Sequence, residues 1–267
     1  MGNLTIVDIV LALALAGPCM AQTIDGNGAG LQTKGAQPHV VVFTGDNVIP
    51  QLVDGGGWKT TLKFVNLDNH SVSFTVLFFA DDGSDLFIPI LGYGIVRSVP
   101  IVLPIAGSIT IETAGTAARL AQGWAKMSQD NTADSIGGFA IFRQRILNIP
   151  DQEAVVPIVN QFSSHFVLLF DNAGFTTAIA LANPSNSSID IPVNIRNEDG
   201  FIIDQQFFSL GPYQHAAFTL ASQWQSTAGR RGAIEFLTSG FGVGALGLRF
   251  NGFAFTSFNV LENFNWQ

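Results

Sequence analysis

The chain repeats itself. Residues 49–83 align with residues 166–200 at a constant offset of 117 and without a gap. Identical pairs include Leu52/Leu169, Asp54/Asp171, Gly57/Gly174, Thr60/Thr177, Asn66/Asn183, Val76/Val193, Asp82/Asp199 and Gly83/Gly200. Apolar positions also face apolar positions, as in Trp58/Phe175, Leu62/Ile179, Phe74/Ile191 and Phe78/Ile195. A repeat of this kind divides 267 residues into two units, each long enough to bury a core of its own. It also restricts the fold to one that a single copy can form alone.

Short strands separated by turn signals fill both copies. The clearest is 71–76, where Val72, Phe74 and Val76 alternate with Ser and Thr. Asp82-Gly83 and Asp199-Gly200 are hairpin signals, because glycine adopts positive φ without steric cost. Strands are expected at 48–53, 58–66, 71–80, 86–91, 96–103, 108–113, 123–128, 136–147 and 154–159, then at 165–170, 175–183, 188–197, 201–210, 213–220, 232–237, 243–250 and 253–261. Residues 114–122 and 221–229 each read as a helical turn. Past Gly83 the offset shrinks, and about ten extra residues around Gly92-Tyr93-Gly94 belong to the first copy alone. The expected fold is all-β: two tandem antiparallel, immunoglobulin-like β-sandwich domains related by internal duplication. The domains are 48–160 and 161–267, with a short seam at 157–164.

Residues 1–21 carry an apolar run ending in small residues and read as a secretory signal peptide, although no Lys or Arg precedes the run and Asp8 interrupts it. Residues 22–47 read as a flexible leader with a possible edge strand. The single cysteine, Cys19, falls within the segment to be removed, so disulfides and thiolate sites are not expected. A net charge of −8, with only 12% charged residues, leaves no basic stripe for a phosphate backbone. No run in the rest of the chain is long enough to span a membrane as a helix.

The segments Gly56-Gly57-Trp58-Lys59-Thr60-Thr61-Leu62, Phe79-Ala80-Asp81-Asp82-Gly83, 136–144 and 245–252 together resemble uncharacterised secreted tandem β-sandwich proteins of soil bacteria. That resemblance spans about 48–261. It implies the fold and export, and it transfers no activity or site residue.

Asp81, Asp82 and Asp85 form the densest carboxylate group and suggest a Ca²⁺ loop, but Ile202 stands opposite Asp85 and a solvated hairpin tip explains the same residues. The histidines His39, His70, His165 and His215 show no metal spacing. Trp58, Trp124, Trp224 and Trp266 offer sugar-stacking rings if exposed, whereas Trp58 and Trp124 fall at core positions of strands. Trp266 is least explained by a core. Arg143 and Arg249 recur within one residue of equivalent places, with Asp54 and Asp171 as their expected partners. No cofactor motif and no Gly-x-Ser-x-Gly elbow is present.

These readings lead to a non-catalytic, exported structural or adhesive protein of the cell surface or matrix. It would assemble with itself or with another surface protein, using Trp58, Tyr93, Arg143, Arg249 or Trp266. The alternatives are a pair of carbohydrate-binding modules and, more remotely, a hydrolase with a site between the domains.

Overall fold

A computed structural model describes residues 47–160, 162, 164–238 and 242–262. The expected signal peptide, nearly all of the leader, His39 and Trp266 lie outside the described residues.

The first half contains β1 (Asn47–Asp54), β2 (Trp58–Asn66), β3 (Val72–Ala80), β4 (Ile88–Ile90), β5 (Gly94–Val96), β6 (Ser98–Leu103), β7 (Ser108–Glu112), β8 (Ala121–Gln129), β9 (Ile136–Gln144) and β10 (Gln152–Pro157). The second half contains β11 (His165–Asp171), β12 (Thr176–Ala182), β13 (Ile189–Asn197), β14 (Ile202–Leu210), β15 (His215–Thr219), α1 (Leu220–Gln223), β16 (Arg231–Leu237), β17 (Gly244–Asn251), β18 (Ala254–Phe258) and β19 (Leu261–Glu262). The protein is all-β, with several open antiparallel sheets. The helical turn expected at 114–122 is absent, since residues there form turns and β8 begins at Ala121. Its counterpart is present as α1 followed by a 3-10 turn at Gln225–Thr227.

In the first half the two larger sheets run β1-β8-β3-β6 and β10-β9-β2-β7. In the second half the orders are β14-β13-β16-β11-β19 and β15-β12-β17-β18. Numbered from the start of each half with the β4–β5 hairpin left out, the strands follow one permutation, with β19 added at an edge. Alternation places Leu62, Phe64, Phe74, Val76 and Phe78 in the first core, and Ile179, Leu181, Ile191, Val193 and Ile195 in the second. Each half is therefore a sandwich-like pair of sheets with apolar inner faces.

One buried polar device recurs, and so does one pair of glycines. The Asn66 amide nitrogen lies 2.7, 3.2 and 2.9 Å from the carbonyls of His70, Leu103 and Pro104, and its oxygen accepts from the Asp68 N–H. Asn183 does the same with Ser187, Leu210, Gly211 and the Ser185 N–H. Each asparagine ties the turn after its own strand to a neighbouring turn and satisfies carbonyls that the sheets leave unpaired. Gly123 and Gly232 also match. A Cβ at Gly123 would lie 1.9 Å from the Phe79 carbonyl oxygen, and one at Gly232 would lie 2.0 Å from that of Arg196.

The gap-free alignment hides a register change. Ile49 pairs with Ala125, yet Leu52 pairs with Gly123, so β1 carries one extra residue as a bulge. β11 runs without one, pairing Phe170 with Gly232 and Asp171 with Arg231. Traced through β8 and β16, Leu52 occupies the place of Phe170, and Val53 that of Asp171. A threonine hydroxyl confirms the slip. Thr60 brackets the backbone of Val53, whereas Thr177 brackets that of Asp171. One residue of slip reverses the face. Leu52 is fully buried and Leu169 is 56% exposed, although the sequence pairs them as identical.

The halves are packed together. Ala178, Ala180, Leu246, Leu248, Phe250 and Phe255 of the second half belong to the same buried apolar cluster as the first core. β1 is buried on both faces for this reason, and so is most of β12. A Cβ at Gly244 would meet Val48 Cγ1 at 2.7 Å, so the Val48 side chain packs directly on the β17 backbone.

Candidate functional site

The described tryptophans are internal. Trp58, Trp124 and Trp224 are 6%, 0% and 3% exposed. Trp58 packs on Phe255 across the boundary between the halves, with ring centroids 5.4 Å apart. Trp124 donates its indole N–H to the Tyr213 carbonyl at 2.8 Å. The Phe79 ring is stacked between Trp124 and Tyr213, at 4.6 and 5.2 Å. These rings join the halves and present no stacking row to solvent.

Arg143 and Arg249 occupy opposite faces. Arg143 pairs across the sheet with Lys59, whereas Arg249 pairs with Thr177 on the inward side. The offset of one residue noted in the sequence accounts for the reversal. Arg143 meets Asp151 at 3.6 Å and has no contact with Asp54. Arg249 lies 3.5 Å from Asp171 and sits over the Phe175 ring at 3.3 Å. Arg231 also bonds Asp171, at 3.1 Å. Asp54 is fully buried and accepts from the N–H groups of Gly115 and Ala117.

The carboxylates of Asp81, Asp82 and Asp85 turn to three separate partners. Asp82 caps Ser84 through its hydroxyl and N–H, and these bonds, the hydroxyl above all, hold its carboxyl below the ordinary value. Asp85 pairs with Arg97. Asp81 crosses to the second half and accepts from His215 Nδ1 at 2.8 Å and from Gln122 Nε2 at 2.7 Å. The His215 side chain is fully buried, and its Nε2 has no hydrogen-bond partner. Asp81, Gln122, Phe208, His215, Phe218 and Gln223 line a cavity of about 290 Å³ between the halves. A histidine and a carboxylate thus converge there, but among the described residues no hydroxyl bonds Nε2. The arrangement resembles two members of a hydrolytic triad without the nucleophile.

The ten-residue insert is the outstanding surface feature. β4 and β5 form a hairpin whose tip glycines, Gly92 and Gly94, both have φ near +80°. Ile88 and Ile90 point down into the first core. The Asp85–Arg97 pair closes the base, and Leu91 N–H bonds the Glu112 carbonyl at 2.9 Å. The upper side carries Phe87, Leu91, Tyr93 and Ile95, which are 61%, 49%, 45% and 72% exposed. Nothing equivalent exists in the second half, where β13 leads straight into β14 through residues 198–201.

Two further clusters have chemistry that spacing did not reveal. Glu235, 5% exposed, accepts from Asn194, Arg196 and His165 at 2.9, 3.0 and 2.7 Å. Burial pushes its carboxyl up, but these three bonds together outweigh burial and hold it below its ordinary value. Asp68, His70 and Asp134 offer metal-ligand atoms that all lie within 4.8 Å of one another. They are the only such group of three among the described residues. Asp134 stands 64 residues from His70, so no motif announces it; the one clue is that Ser185 and Ser187 replace Asp68 and His70 in the second copy.

No family model, curated protein or solved structure matches the chain. No helix among the described residues is long and apolar enough to cross a membrane.

Proposed function

We propose that this is a non-catalytic, exported structural or adhesive protein whose two tandem immunoglobulin-like sandwiches arose by duplication, and that it associates with further copies of itself. The duplication is supported by the shared strand permutation, the twin asparagine anchors and the twin glycines. Export is supported by the N-terminal sequence pattern, and the resemblance to secreted tandem sandwich proteins agrees with it.

The observation that carries the functional reading is the apolar hairpin. A scaffold copied for its fold keeps this insert in one copy only. Its inner isoleucines secure it to the core, while Phe87, Leu91, Tyr93 and Ile95 face solvent. Covering the part of these side chains that is still exposed contributes about 1 kcal/mol each, roughly half the value for burying a fully exposed side chain. A net charge of −8 opposes the association, so it should strengthen as salt screens the repulsion.

Light scattering on the full chain tests the reading. The wild type should form dimers or larger species that increase with concentration and with NaCl. Tyr93→Asp combined with Ile95→Asp should restore the monomer with the fold intact. A wild type that stays monomeric at every concentration and salt level would sink the assembly reading.

A further inference from the structure

We propose that Asp68, His70 and Asp134 form a binding site for a divalent transition-metal ion of the Zn²⁺ class, built into the first half of the molecule alone. The ligands come from two loops, residues 67–71 between β2 and β3 and residues 130–135 between β8 and β9. His70 Nε2 lies 3.1 Å from Asp134 Oδ1. Ligands around a tetrahedral zinc with bonds of about 2.0–2.2 Å sit roughly 3.3 Å apart, so this pair already has the required spacing. The remaining atoms, within 4.8 Å, reach it by a small inward rotation. His70 is free to make that rotation because its side chain is 53% exposed.

Charge and hydrogen bonding favour the same ligand. The Asp134 side chain is only 5% exposed, and among the described residues neither it nor Asp68 is paired with a Lys or Arg, the one basic group beside Asp134 being the His70 imidazole. A buried carboxylate without a cationic partner is costly, and a second carboxylate beside it adds repulsion. A divalent cation neutralises both. The existing donors occupy only part of each carboxylate. Asn131 donates to Asp134 Oδ1 at 2.7 Å, and the Ser135 N–H donates to Asp68 Oδ2. These are the orienting bonds that metal-bound carboxylates use, and they leave lone pairs for the ion. One imidazole with two monodentate carboxylates suits zinc better than calcium, which takes six to eight oxygens. Three protein ligands leave a fourth position open to water or to an incoming group.

The twin turn shows that the fold does not require these side chains. Asn183 anchors residues 184–188 with the same bonds that Asn66 makes, yet the residues matching Asp68 and His70 are Ser185 and Ser187. The carboxylate and imidazole were therefore placed on a turn that closes without them.

The other copy also supplies a fold-safe test. The full chain, and the variants His70→Ser and Asp68→Ser with His70→Ser, are dialysed against Zn²⁺ and, separately, against Ca²⁺. Bound metal is then counted by elemental analysis. The wild type should retain about one Zn²⁺ per chain and no Ca²⁺. The single variant should lose stoichiometric retention, and the double variant should lose all binding at this site while keeping a wild-type circular dichroism spectrum. Asp134→Asn should abolish retention as well. A wild type that retains no Zn²⁺, or a double variant that retains as much as the wild type, overturns the site.

Discussion

Single buried polar residues specify this fold as firmly as its apolar ones. Asn66 and Asn183 each hold three backbone carbonyls and one N–H, and they are 2% and 0% exposed. Removing either amide leaves most of those groups without this partner, at about 1–3 kcal/mol. Asn66→Ala and Asn183→Ala should each lower the unfolding free energy by about that much and by similar amounts, measured by urea denaturation. Glu235 makes a pH prediction. Its folded pKa lies below the unfolded value, so its contribution is complete above the ordinary carboxylate range near pH 4.3 and is lost as pH falls through the folded value. The stability of the wild type should therefore fall more steeply between about pH 5 and pH 3 than that of Glu235→Gln, followed by denaturation at each pH. Equal slopes would show that the Glu235 network carries no net charge stabilisation.

At the scale of elements, backbone contact decides what a sequence pattern leaves open. β8 passes β3, and β16 passes β13, so closely that a methyl group has no room at Gly123 or Gly232. Because the obstacle is a carbonyl oxygen of the neighbouring strand, the chain must shift to accept alanine. Gly123→Ala and Gly232→Ala should each cost about 3 kcal/mol or more, in the upper range for single substitutions. Gly174 has open space but a φ of +97°, so its alanine variant should cost about 1–2 kcal/mol of backbone strain and no steric clash, and thermal melts of the three variants compare the two costs. The β1 bulge acts at the same scale. It gives Leu52 and Leu169 opposite faces, and it places Asp54 where it holds backbone N–H groups while Asp171 meets two arginines.

For the molecule as a whole, the boundary between the halves continues the first core into the second half, with a small satellite around Trp124. Alanines on β12, leucines on β17 and the rings of Trp58, Phe255, Phe79 and Trp124 fill it, and the buried His215–Asp81 pair crosses it. Two sandwiches sharing this much apolar surface should unfold together. Ala180→Asp puts an unpaired charge into that boundary. Calorimetry should show one cooperative transition for the wild type and two separated transitions for the variant. Two transitions in the wild type would mean that the boundary contributes little to either half.

The alternation of apolar residues and the turn signals were enough to place most strands, because period two and positive-φ glycines are local properties. Strand β2 was read to the residue, and β3, β13 and β16 to within one. The repeat with its one-sided insert was likewise plain in the sequence. The bulge in β1 was not, since an inserted residue leaves identities aligned while shifting every side chain beyond it to the other face. Arg143 and Arg249 stand one residue apart in equivalent strands, and that single step puts them on opposite faces although no bulge intervenes. Asn66 and Asn183 were visible as an identity, but their role depends on carbonyls up to 38 residues away. Asp134 joins Asp68 and His70, and Asp81 joins His215, across 64 and 134 residues. Only packing of whole sheets decides such meetings. The chain by itself therefore determined most of its strands and the recurrence of their pattern, while the register of the sheets and the contact between the halves decided which side chains could act together.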